Sequence, residues 1–185
     1  MQHHASWLGD EPLYTEEQRR RRDSTWWTTV QGVLAPTQFI VFLVSLALVI
    51  WYLTTGEGLE LAAWSIVIKT LILYTIMVTG AIWEKVVFGK YLFAPAFFWE
   101  DVVSMAVILL HTAYLVVWFG DIFTPVQQMM VALAAYILYV INAFQFLLKL
   151  RAARLQEQRT RDAAQAEAAA GGEGGGASKS KEGAA

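Results

Sequence analysis

Four apolar runs, residues 29–54, 61–83, 97–119 and 126–150, set the terms on which this chain can fold. Each is long enough for a helix to cross a hydrocarbon core of about 30 Å, which takes about 20 residues. Little remains outside them. Of 185 residues, 56% are hydrophobic and 16% are charged, against about 25% charged in an ordinary soluble domain. The expected fold is all-α, an integral membrane four-helix bundle.

The net charge of −2 says less than where the charges fall. Arg19, Arg20, Arg21 and Arg22 precede the first run, and Lys85 and Lys90 lie between the second and third. Lys149, Arg151, Arg154, Arg159 and Arg161 follow the fourth. The other two connections, 55–60 and 120–125, hold no Lys or Arg. The excess of basic residues on cytoplasmic loops then places both the N and C termini in the cytoplasm. No cysteine is present, which excludes disulfides, thiolate catalysis and iron–sulfur clusters. The first run starts late and is too long for a cleavable signal.

Three parts are expected: a cytoplasmic segment 1–28 with an interfacial helix, the four-span domain 29–150, and a tail 151–185. His3 and His4 belong to a disordered lead. Thr-Glu-Glu-Gln from Thr15 has the form of a capping box opening a helix through the arginines. Trp26 and Trp27 fall where an aromatic belt anchors a first span. Gln31, Gln38 and Ser45 recur every seven residues and share one helical stripe, suited to hydrogen bonds between helices. The segment 86–98, aromatic and broken by Gly89 and Pro95, reads as re-entrant or interfacial. Beyond Leu155 the chain becomes Ala/Gln/Glu-rich and then Gly-rich, too poor in apolar side chains to order itself.

Ionisable residues within spans are costly and mark functional sites by default. On the third span Glu100, Ser104 and His111 lie near one face. Glu100 and His111 are separated by about 16 Å along the axis, and Asp101 stands about 100° round from Glu100. The second span runs the other way and ends at Glu84, at the depth of Glu100 and Asp101. A carboxylic acid kept neutral near pH 7 is what a general acid requires. The competing use of these groups is interfacial pairing of Glu84 with Lys85, or of Asp101 with Lys85 or Lys90. Lys69 lies deep in the second span at nearly the depth of His111, so either Lys69 is neutral or an acidic group approaches it. Tyr139, Asn142 and Gln145 form a stripe on the fourth span that brings Asn142 toward the carboxylates. With His111 the sole membrane histidine, a bis-histidine haem is excluded. A structural hydrogen bond and an axial bond to a magnesium tetrapyrrole both remain open to it.

Three blocks carry a family resemblance: PLYTEEQRRRRDSTWWTTVQGVLAPTQFIVFLVSL (12–46), KTLILYTIMVTGAIWEKVVFGKYLFAPAFFWEDVVSM (69–105) and YVINAFQFLLKLRAARL (139–155). They resemble the 3-vinyl bacteriochlorophyllide hydratase family of bacteriochlorophyll biosynthesis. The resemblance implies a lyase that adds water to the C3 vinyl group of chlorophyllide a or 3-vinyl bacteriochlorophyllide, giving a 1-hydroxyethyl group. It implies a multi-pass protein of the bacterial inner membrane, the lipid bilayer as its surroundings, no cofactor and no nucleic acid. It admits a homo-oligomer or association with other enzymes of pigment synthesis.

Hydration needs an acid, a base and a positioned water, since the macrocycle itself stabilises the intermediate cation. Glu100 is then expected to be the acid, with Asp101 or Glu84 orienting the water or accepting its proton. The aromatic segment through Trp99 would admit the ring, and Lys85 or Lys90 would hold its propionate. Lys69, Tyr139 and Asn142 are expected to line the pigment site, and His111 to ligate magnesium if the ring sits deep. Two other classes compete: a pigment- or quinone-binding protein without enzymatic activity, and a small proton-coupled transporter.

Overall fold

The computed structural model describes residues 13–174. His3, His4 and the last part of the Gly-rich tail lie outside that range. The described residues form five helices and no strand: α1 (Glu16–Ser24), α2 (Trp26–Thr55), α3 (Leu59–Phe88), α4 (Phe98–Phe119) and α5 (Pro125–Gly174). Four of them, α2 to α5, are long and apolar enough to cross a membrane. A helix satisfies its own backbone, which is what a chain in hydrocarbon requires.

The ends of these helices follow local chemistry. Thr15 opens α1 with the expected capping box: its hydroxyl accepts from Gln18 N–H, and the Gln18 side chain accepts from Thr15 N–H. Thr25 caps α2, and Gly56 closes it at φ 77°, a left-handed conformation open to glycine. Gly89 closes α3 in the same way at φ 82°. The helix therefore runs past the expected end of the second span and carries Glu84 and Lys85 inside its last turns.

The chain divides into two compact units. Tyr14–Phe146 holds the bundle. The other unit includes the chain from Leu147 onward, described as helix to Gly174. There the expectation of a disordered tail from 151 differs from the structure. Ala, Arg, Gln and Glu are strong helix formers, so α5 continues without an apolar core to hold it. Within this unit Leu13 N–H reaches Gln156 Oε1 at 3.4 Å.

Inside Tyr14–Phe146 the helices run up, down, up and down. Gln31 Nε2 donates to Thr79 Oγ1 at 2.8 Å and Ser45 bonds Ser65 at 2.6 Å, which registers α2 antiparallel to α3. Gln38 Nε2 lies 3.5 Å from Lys69 O, so the whole Gln31/Gln38/Ser45 stripe bonds across to α3. Tyr74 and Thr112 (2.6 Å) join α3 to α4, and Asn142 and Ser104 (2.8 Å) join α4 to α5. Phe42 closes the ring by packing on Tyr136 and Tyr139 of α5. Large apolar residues such as Ile40, Leu109 and Ile137 face outward, while Gln38, Ser45, Lys69, His111 and Asn142 are buried. This distribution suits a surrounding of lipid.

Candidate functional site

Two polar layers lie inside the bundle. The first is at the end where α3 stops and α4 begins. Glu84, Glu100 and Asp101 are all buried there, at 4%, 8% and 5% exposure. Glu84 and Asp101 are close enough for their carboxyl groups to interact directly. Two such groups can bond each other only when a proton lies between them, because an ionised carboxylate is an acceptor alone. Glu100 and Asp101 occupy the first turn of α4, where the unpaired N–H groups of a helix favour negative charge.

The loop 89–97 folds over this layer. Phe93 N–H donates to Asp101 Oδ2 at 2.7 Å, and Ala94 N–H points to Glu84 Oε2 at 3.5 Å. To present its amide, Phe93 takes φ 59°, the left-handed region that bulky residues avoid. Beneath the loop, Phe88 and Phe97 pack with Trp83 and Tyr14, and Phe97 stacks on Phe146 at 6.0 Å. On its outer side Tyr91, Phe93, Phe98 and Trp99 are exposed. The expected interfacial aromatic segment thus has two faces, one packed and one open.

The second layer lies deeper. Lys69 and His111 are fully buried, and Lys69 Nζ is 2.7 Å from His111 Nε2. His111 Nδ1 is 2.7 Å from Val107 O. A carbonyl only accepts, so Nδ1 carries the proton, Nε2 is the acceptor, and Lys69 donates to it. The amine also lies over the rings of Tyr139 (4.2 Å), Tyr136 (4.8 Å) and Phe42 (5.8 Å). This answers the puzzle of two adjacent cationic types: one is a neutral imidazole. Both ring nitrogens of His111 are occupied, so an axial bond to a metal would require Lys69 to leave.

Between the layers, Asn142 Nδ2 donates to Ser104 Oγ at 2.8 Å. Asn142 Oδ1 and Gln145 Oε1 are buried without a hydrogen-bond partner. Among the described residues no three His, Asp or Glu side chains are grouped to hold a metal ion.

The family model of the 2-vinyl bacteriochlorophyllide hydratases matches residues 14–152. The chain belongs to this family. A 2-vinyl bacteriochlorophyllide hydratase of Cereibacter sphaeroides is 70% identical over 146 residues, 77% of this chain and 89% of the relative. One of Rhodobacter capsulatus is 69% identical over 147 residues, 78% of this chain and 84% of the relative. No solved structure matches. The matched region of this hydratase-family chain contains both polar layers and the loop above them.

The structure brings some of the expected residues together and keeps others apart. Glu84 and Asp101 meet, with Glu100 buried at the same end; Lys69, His111 and Tyr139 meet in the second layer. Asn142 lies between, on Ser104. Trp99 is 62% exposed and turned away from the interior. Lys85 is exposed, donates to Gly89 O at 2.9 Å, and lies over the Tyr91 ring. Lys90 is exposed at the start of the loop. The sequence offered no signal for the backbone amides of Phe93 and Ala94. Pro95 marks a loop, but which amide faces which carboxylate depends on one unusual φ angle.

Proposed function

We propose that this chain is a membrane hydratase of bacteriochlorophyll biosynthesis, adding water to the vinyl group of chlorophyllide a or 3-vinyl bacteriochlorophyllide. The vinyl called 2 in the relatives' name and 3 here is the same substituent in two numbering conventions. The product carries a 1-hydroxyethyl group, and the enzyme is a hydro-lyase. What carries the mechanism is the close pair Glu84–Asp101, buried in a chain of this family.

The pair stores the proton the reaction consumes. In this reading Glu84 carries the proton, and Asp101, which accepts from Phe93 N–H at 2.7 Å, is its fixed partner. Glu84 delivers it to the terminal vinyl carbon. The π electrons form the new C–H bond, and positive charge develops at the inner carbon, spread over the macrocycle. Water attacks that carbon through oxygen, and Glu100 accepts the proton it releases. Exchange within the carboxylate layer returns this proton to the pair. Sequence alone favours Glu100 as the acid; the closeness of Glu84 to Asp101 supports Glu84 in that role instead.

The macrocycle approaches along the exposed aromatic face of Phe93, Phe98 and Trp99. Lys90 takes the propionate, since the Lys85 ammonium is held by Gly89 O and Tyr91. Lys69, His111 and Tyr139 serve the interior of the bundle rather than the pigment. The distribution of Lys and Arg supports a cytoplasmic position for both termini and for the carboxylate layer, in the bacterial inner membrane. A second copy, or a neighbouring enzyme of pigment synthesis, would meet the outward apolar faces.

Purified protein in detergent, incubated with chlorophyllide a, is expected to yield a pigment heavier by one water. Its red absorption band moves to the blue as the conjugated vinyl is lost. Bound pigment of unchanged mass would instead make the protein a pigment carrier.

A further inference from the structure

We infer that Asn142 and Gln145, with Ser104 as the anchor of Asn142, form the site that holds the attacking water. This rests on the hydratase reading above. The three residues sit within the bundle close to the carboxylates. Ser104 is three residues beyond Asp101, about 5 Å along α4. Asn142 bonds Ser104 across the α4–α5 interface at 2.8 Å. Gln145 is three residues further along α5, on the same face as Asn142. Because α5 runs antiparallel to α4, Gln145 falls nearer the level of Glu100 and Asp101.

The hydrogen-bonding inventory decides what this site accepts. The Asn142 amide nitrogen is committed to Ser104, which fixes the side chain and turns Oδ1 the other way. Asn142 is 9% exposed, yet Oδ1 has no partner, and Gln145 Oε1 has none either. A carboxamide oxygen only accepts, and leaving one unmatched in an interior costs about 1–3 kcal/mol. The ligand must therefore bring donors. The vinyl group and the carbon framework around it have no N–H or O–H to offer; water does. A water held through its hydrogens by these oxygens keeps its own lone pairs free, and a lone pair is what the cation at the inner vinyl carbon takes up. The same oxygens then accept the hydroxyl of the product. Attack leaves both hydrogens on the new C–OH2+ group; one stays on the product hydroxyl, and the other passes from its carboxamide partner to Glu100, on α4 one turn before Ser104.

Holding water on one side of a planar cation also sets the configuration of the new alcohol carbon. That gives a readout which loss of packing alone does not move. Wild-type protein, Asn142→Leu, Asn142→Asp and Ser104→Ala are incubated with chlorophyllide a in detergent. Pigment affinity, turnover and the ratio of the two product epimers are measured. Asn142→Leu is expected to lower kcat about 100-fold, the usual effect of a misplaced reactant. Pigment affinity should stay within about twofold, and the residual product should approach an even mixture of epimers. Asn142→Asp keeps an acceptor and should retain more turnover than Asn142→Leu. Ser104→Ala should lower kcat about tenfold and also mix the epimers; it decides the matter if the α5 variants do not fold. Unchanged kcat and epimer ratio in Asn142→Leu and Ser104→Ala would overturn the water site while leaving the hydratase reading intact. A fall in pigment affinity that matches the fall in kcat would also overturn it, because these residues would then be pigment ligands. Absence of hydrated product from wild-type protein would overturn the hydratase reading itself.

Discussion

The carboxylate layer and the Lys69–His111 layer are both charged-type clusters buried in a membrane bundle, yet they are built for opposite ends. Around Lys69, the amine and both imidazole nitrogens have partners within the protein. Lys69 Nζ donates to His111, the imidazole donates to Val107 O, and three aromatic rings enclose the amine. The arrangement is closed, with both residues at 0% exposure. The carboxylate layer is capped by a loop instead of a helix, sets two acids against each other, and lies beside acceptor oxygens that have no partner. One cluster ties helices together, and the other is the one we propose does the chemistry.

The sharpest way to break this comparison is to remove the proton store. Asp101→Asn and Glu84→Gln are each expected to lower kcat on the order of a hundredfold to ten-thousandfold, the range for loss of general acid–base catalysis. Pigment binding, followed by absorbance, should persist. If either variant turned over at the wild-type rate, the carboxylate layer would be as structural as the lysine layer. Glu100→Gln is expected to cost less, on the order of a hundredfold, since bulk water can still take up the released proton.

Next in size are the effects in the closed layer, and they should appear as stability. His111→Leu removes the acceptor of the buried Lys69 amine, and a buried donor left unpaired costs about 1–3 kcal/mol, more if it is charged. Lys69→Met leaves the His111 nitrogen unpaired, at about 1–3 kcal/mol. The double variant removes both groups and should be more stable than His111→Leu alone. Thermal or denaturant unfolding in detergent measures all three. Turnover per folded molecule should change little. A loss of kcat in folded Lys69→Met comparable to that of Asp101→Asn would erase the distinction between the layers.

Much of this architecture can be read from the chain, and the reason is locality. The four spans follow from length and hydropathy, the cap at Thr15 from four consecutive residues, and the α2–α3 bonds from a seven-residue repeat. The Lys69–His111 bond is different. Depth in the membrane can be counted from a span's end, so their common level is legible. Whether two side chains on separate helices point at each other depends on the rotation of each helix, which the apolar pattern fixes only loosely here. The Glu84–Asp101 contact has the same status, and the Phe93 amide is further out of reach because it depends on a conformation that aromatic residues rarely adopt. The helix beyond residue 150 shows the reverse error. Weak burial suggested disorder, but local propensity in an Ala-rich segment suffices to continue a helix already started.

The smallest effect probes the rim of the open layer. Trp99 and Lys90 are exposed and touch neither cluster, so replacing them should leave the proton store and the fold alone. If the pigment approaches across the face formed by Phe93, Phe98 and Trp99, Trp99→Ala removes stacking area worth about 0.5–1.5 kcal/mol. KM should then rise roughly threefold to tenfold with kcat unchanged, the signature of binding shared by ground and transition states. Lys90→Ala should raise KM by a smaller factor, because an exposed ion pair contributes about 0–1 kcal/mol, and added salt should shrink that difference further. Steady-state assays with chlorophyllide a at low and high ionic strength read both. A pigment that used another face would leave the KM of each variant at the wild-type value, and the loop would then be a cover for the carboxylates alone. The split between KM effects at the rim and kcat effects beneath it is what an approach over the loop requires.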